Sequence, residues 1–173
     1  MTSTHDFDFS IFHLKLCREY SRQLRVLRQL MLPDTLLEMD GDEAISYATI
    51  LAVAATCDGK FSQEEMSAYE SRVASLLYQR DVKERLNEII GEWIDVDYHL
   101  AALSPDGVKL LLRDTILMAA CDGEYTDEEM KLIKRVAQKA GVDDETLNQL
   151  YLWVLEGWGW FSRGHQILGM SSD

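Results

Sequence analysis

Residues Cys121 to Met130 read CDGEYTDEEM, and residues Cys57 to Met66 say nearly the same thing as CDGKFSQEEM. Each stretch begins where an apolar, alanine-rich run ends, ISYATILAVAAT before the first and VKLLLRDTILMAA before the second. Ser62 and Thr126 stand where an N-cap hydroxyl is needed. Glu65 and Glu129, three residues later, can reach back to the cap residue's own N–H, so each stretch contains a capping box. Glu64, Asp127 and Glu128 add negative charge to first turns whose exposed N–H groups favour it by ~0.3–1 kcal/mol each. Both stretches therefore read as corners between two helices, with Asp-Gly as the turn pair.

The same corners invite comparison with a calcium loop, and the spacing rejects it. With Asp122 as position 1, position 6 is Asp127 rather than glycine and position 12 is Ile133 rather than glutamate. The first copy fails too, with Lys60 at position 3 and Tyr69 at position 12. Helix capping nonetheless leaves Asp58 and Asp122 least explained. Each follows the end of a helix, where the macrodipole disfavours a carboxylate, and each has further acids one turn away. Hard cations are held by such oxygen clusters. An ion here would need ligands from more than one segment, and the purely structural reading of the acids stands beside the metal-binding one.

Working outward, the repeat extends beyond the corners. At an offset of 64 residues Asp42 falls on Asp106, Phe61 on Tyr125, Met66 on Met130 and Leu86 on Leu150. Two related helical halves about a pseudo-twofold axis follow, with the alanines before each corner (Ala52, Ala54, Ala55; Ala119, Ala120) allowing the two lead-in helices to approach closely at the centre. Only Pro33 and Pro105 occur, and apolar residues recur at helical spacing with no series of alternating strands, so the fold class is all-α with about seven helices.

The expected helices run from about Phe9 to Leu32; from Asp42, as cap, to the first Asp-Gly; from Ser62, with Met66, Tyr69, Val73 and Leu76 inward; and from Val82 to Val96. A looser stretch, DVDYHLAAL, follows. The later helices run from Ser104, with Pro105 in the first position, to Cys121; from Thr126 to Ala140, stopped by Gly141; and from Asp143 or Asp144 to Glu156, ending in the region of Gly157 to Gly164. The chain divides into a basic amphipathic helix and linker (1–41), a duplicated helical domain (42–157) and a Trp/Gly-rich tail (158–173).

The formal net charge is −13, which disfavours nucleic-acid binding through phosphate neutralisation. The charge is polarised, because residues 1–32 hold five basic and three acidic side chains. Lys15, Arg18, Arg22, Arg25 and Arg28 form a basic stripe, either a solvated face or a surface for an acidic partner or anionic membrane. No apolar run approaches the ~18 residues of a membrane span, and MTSTHDFDFS lacks the order of a signal peptide. With three dispersed cysteines the chain reads as reduced and cytoplasmic.

Trp153 reads as core; Trp158 and Trp160 read as a partner-binding or membrane-interface patch, or as packing against the first helix. Asp95, Asp97 and His99 read as solvated loop residues, and Cys57 and Cys121 as small packing residues. The four dispersed histidines form no H-E-x-x-H, and neither a P-loop nor G-x-S-x-G appears, so no catalytic residue is assigned.

The duplicated units, ILAVAATCDGKFSQEEM and TILMAACDGEYTDEEMKLIKRVAQKAGVDDETL, resemble the TerB family of tellurite-resistance proteins over about Asp42 to Glu156. The resemblance implies a pseudo-twofold helical domain and a non-enzymatic role in tellurite and stress resistance. It also implies protein partners, among them other Ter proteins near the membrane, with the chain cytoplasmic or peripheral at the inner membrane surface. It implies a divalent metal site on Asp58, Glu65, Asp122 and Glu129, with Glu64 and Glu128 as neighbours; calcium, magnesium, manganese and zinc are not distinguished. Neither the basic first helix (Arg18, Arg22, Arg25) nor the tail (Trp158, Trp160) belongs to the shared pattern. Two other readings stand: a metal-independent protein scaffold and a metal-dependent hydrolase. Dimerisation is left open.

Overall fold

A computed structural model describes residues 39–57, 59, 63–74, 94–121 and 125–170, with the backbone alone given for Glu64, Trp158 and Phe161. These residues form six helices and no strand: α1 (Gly41–Ala54), α2 (Gln63–Val73), α3 (Val96–Ala101), α4 (Pro105–Ala119), α5 (Asp127–Ala140) and α6 (Asp144–Ile167). The fold is all-α. The expected helices over residues 9–32 and 82–96 fall outside the described residues, apart from the last few positions of the second, where α3 begins.

α1 is buried almost all round, from Ala44 through Leu51 and again at Ala54. Such a helix can be stable only inside the molecule. It packs against α2, α3 and α4, while α4 touches α1, α2, α5 and α6, so the two alanine-ended helices are the central pair. Ala54, Ala55, Ala119 and Ala120 are all buried. Tyr47, Ile50 and Leu51 of α1 share one apolar core with Leu111, Leu112 and Ile116 of α4, Ile133 of α5 and Tyr151 of α6.

The helix starts follow from their caps. Ser104 caps α4, its Oγ accepting from Gly107 N at 3.0 Å, with Pro105 in the first turn as expected. α1 differs. Its cap is Asp40, whose carboxylate accepts from the N–H groups of Asp42 (3.1 Å) and Glu43 (2.8 Å). Asp42 already lies within the first turn, where its own N–H needs an acceptor. The 64-residue offset then carries Asp40 onto Ser104, α1 onto α4 and α2 onto α5. α5 ends as expected at Gly141, whose φ of 68° is a conformation that favours glycine, with Val142 N returning to Ala137 O at 3.0 Å.

Other expectations are corrected as well. The stretch read as loose holds α3, because Asp95 caps it through the N–H groups of Asp97 (3.0 Å) and Tyr98 (3.3 Å). The last helix does not stop at Gly157–Gly164. α6 passes through them to Ile167, and the left-handed residue that closes it is Gly169, with a φ of 67°. Most of the region read as a separate tail is thus the distal part of α6. Trp153 is not core but 41 % exposed. The buried stripe of α6 is Leu147, Tyr151 and Val154, and Trp153 lies off it by its helical angle. Met66 is likewise exposed rather than inward, while Val73 is buried as expected.

Candidate functional site

The second corner is built from its two ends. Tyr125 is buried, its hydroxyl donating to Ile116 O at 3.3 Å and its ring meeting Tyr151 edge-on at 5.5 Å. That anchors the chain just before Thr126. The capping box is present: Glu129 Oε2 accepts from Thr126 N (2.7 Å) and Thr126 Oγ1 (2.9 Å), and Thr126 Oγ1 accepts from Glu129 N (3.3 Å). Glu129 is buried as a result. Glu128 points outward and pairs with Lys131 at 3.5 Å. Thr126→Ala should lower stability by about 1 kcal/mol, measured by urea unfolding. A loss no larger than that of a surface substitution such as Lys134→Ala would show that the box contributes nothing.

At the first corner, Gly59 takes a φ of 79° and its N–H bonds Thr56 O at 3.0 Å. Glu65, the repeat mate of Glu129, is buried too. The thiols of Cys57 and Cys121 donate to helix carbonyls, of Ala54 at 3.5 Å and Leu117 at 3.3 Å, which agrees with a packing role. Asp58 and Asp122, and the side chain of Glu64, lie outside the described residues. Among the described residues, no three His, Cys, Asp or Glu side chains are grouped to hold a metal ion.

What the structure adds about the corners is the common sense of the helices that lead into them. Glu43 Oε1, in the first turn of α1, accepts from Ser104 N (2.9 Å) and Ser104 Oγ (2.6 Å), so α1 and α4 start side by side. Further along both helices, the Tyr47 hydroxyl donates to Asp114 Oδ2. The contacts climb in the same order on the two helices, which therefore run in the same sense. Their C-terminal ends, Ala54 and Ala119, therefore lie toward the same end of the pair.

A buried polar centre that the sequence reading missed lies between these helices. Asp114 is only 3 % exposed. Its Oδ2 accepts from the Tyr47 hydroxyl and from Arg72 Nε of α2, and its Oδ1 accepts from Arg113 Nε (2.8 Å) and Nη2 (2.6 Å). Every lone-pair direction that burial takes from water is thereby offered a donor. Burial pushes the Tyr47 phenol well above its ordinary value, and the neighbouring Asp114 charge pushes the same way. The signal was in LLLRDTILMA: Asp114 falls three residues after Leu111 and four before Met118, on the buried face of a central helix.

On the other side, Arg135 of α5 grips Asp97 of α3 through two bonds, one from Nε at 2.8 Å, and this pairing holds the Asp97 carboxyl below its usual range. His99 meets Ser46 at 3.2 Å, and burial lowers its pKa. Asp95, Asp97 and His99 are therefore structural residues of a helix, not loop residues. Asp97, Leu100, Arg135, Gln138 and Lys139 line a solvent-open groove between α3 and α5.

Of the weaker partner-binding residues, Trp160 is exposed on α6, the side chain of Trp158 is outside the described residues, and so are Arg18, Arg22 and Arg25. No described helix is long and apolar enough to cross a membrane. No family model, curated protein or solved structure matches the chain.

Proposed function

We propose that this chain is a non-enzymatic acidic helical module that binds a divalent cation through Asp58, Glu65, Asp122 and Glu129, with Glu64 and Glu128 alongside, and that works with protein partners. The observation that carries the reading is the duplication of the acidic corner together with the common sense of α1 and α4, the helices that lead into the two corners. Glu65 and Glu129 stand at equivalent places in the repeat and are both buried. A role in tellurite and stress resistance, with other Ter proteins at the inner membrane surface, follows from the TerB resemblance alone.

The metal-independent scaffold is the second reading, and the Glu129 capping box favours it, since helix initiation alone accounts for that carboxylate. Calorimetric titration of chelator-treated protein with calcium, magnesium, manganese and zinc separates the two. Saturable binding of one of these ions is expected, weakened by about tenfold or more in Asp58→Asn/Asp122→Asn. Absence of binding, or binding untouched by the double substitution, leaves the scaffold.

A further inference from the structure

α6 is 24 residues long, but its buried anchors Leu147, Tyr151 and Val154 lie in its first half. From Trp153 onward the helix exposes large apolar side chains: Trp153 is 41 % exposed, Trp160 69 % and Ile167 77 %. These three are spaced by seven residues, so they lie along one edge of the helix. Leu150, Gly157 and Gly164 fall three residues before or four after them, which completes a heptad seam reading Leu150, Trp153, Gly157, Trp160, Gly164, Ile167.

Glycine is the poorest helix former after proline, and the chain's own fold does not require it here. A Cβ added at Gly157 or Gly164 would meet nothing within 4 Å. Gly159 lies off the seam. The two seam glycines alternate with two tryptophans, a large-and-small pattern that complements itself when the helix is reversed. Laid antiparallel on a second copy, Gly157 faces Trp160, Gly164 faces Trp153 and Leu150 faces Ile167, each pair occurring twice about a twofold axis. In that same register Glu156 flanks the seam opposite Arg163 of the other copy, again twice. Both side chains are exposed.

We propose that the edge of α6 from Leu150 to Ile167 is a self-association seam, through which two copies of this chain pair antiparallel with each seam tryptophan seated on a glycine of the other. The opposed charges at Glu156 and Arg163 select a second copy over other occupants. An anionic membrane would meet a chain of net charge −13 whose α6 lacks the run of basic residues that holds an amphipathic helix on lipid. The proposal is independent of the metal site, since neither corner contributes to the seam.

Sedimentation of the full chain over a range of concentrations tests it. A monomer–dimer equilibrium is expected. Glu156→Arg should weaken it by about tenfold, because two attractive pairs become repulsive, and Glu156→Arg/Arg163→Glu should restore it. Gly157→Gln/Gly164→Gln should abolish the dimer without lowering the thermal midpoint of the monomer, glutamine being the better helix former. A monomer at every concentration would overturn the proposal. So would a dimer indifferent to the charge swap, or a monomer that instead binds phosphatidylcholine–phosphatidylserine vesicles through Trp160.

Discussion

Asp114→Ala is expected to cost about 3–5 kcal/mol of stability at neutral pH, the usual loss when one member of a buried ion pair is removed and its partners stay behind. Two guanidinium groups converge on this carboxylate with only 14 % and 18 % of their side chains exposed. Tyr47→Phe removes one hydrogen bond to the charge and leaves the arginines satisfied, so it should cost only about 1.5–3 kcal/mol. Urea unfolding of both variants checks the order. If Asp114→Ala costs no more than about 1 kcal/mol, the centre is not holding α1, α2 and α4 together.

The Tyr47 phenol also gives the protein an alkaline limit. Its pKa is raised in the folded state above the ordinary value of 10.0. Burial raises those of Tyr69 and Tyr151 as well. Above about pH 10 the unfolded chain has released protons that the folded chain still holds, so stability is full below that pH and falls as pH rises through it. In Tyr47→Phe the fall should be shallower. An unchanged slope between pH 9 and 11 (about one unit either side of the phenol's ordinary value) would remove Tyr47 from the account.

Leu111→Ala should cost about 3 kcal/mol, and Ile50→Ala a similar amount, within the range of about 2–5 for emptying a fully packed site. Both residues are completely buried. The 64-residue offset carries Tyr47 onto Leu111 and Ile50 onto Asp114, so the polar contact between the central helices has an apolar repeat mate. One half of the duplication has kept hydrocarbon where the other has placed a carboxylate and its donors. Denaturant midpoints for these variants beside the exposed Lys109→Ala test this. A Leu111→Ala midpoint equal to that of Lys109→Ala would mean the site is not packed.

The corners were legible because capping chemistry is local. Thr126 and Glu129 identify a helix start from four residues, and Ser104-Pro105 and Gly141 mark other boundaries for the same reason. The cap of α1 was misplaced by two residues, at Asp42 instead of Asp40, because three acids (Asp40, Asp42 and Glu43) compete there and sequence alone does not say which backbone N–H groups are already inside the helix. The glycines of α6 misled for a related reason. Glycine lowers helix propensity without forbidding the helix, and whether Gly157 stops or continues it depends on the fold around it.

By itself, then, the sequence determined an all-α chain, its duplicated corner and its central helix pair, since periodicity, capping and repetition are written in nearest neighbours along the chain. Only the tertiary structure decided that Asp114 meets Tyr47 and Arg72 from residues 67 and 42 positions away. It alone showed that α1 and α4 start together through Glu43 and Ser104, and that Trp153 and Trp160 of α6 are exposed. Those outcomes depend on which faces are brought together in space. A side chain's partners, unlike its helix, are set by packing that no local pattern encodes.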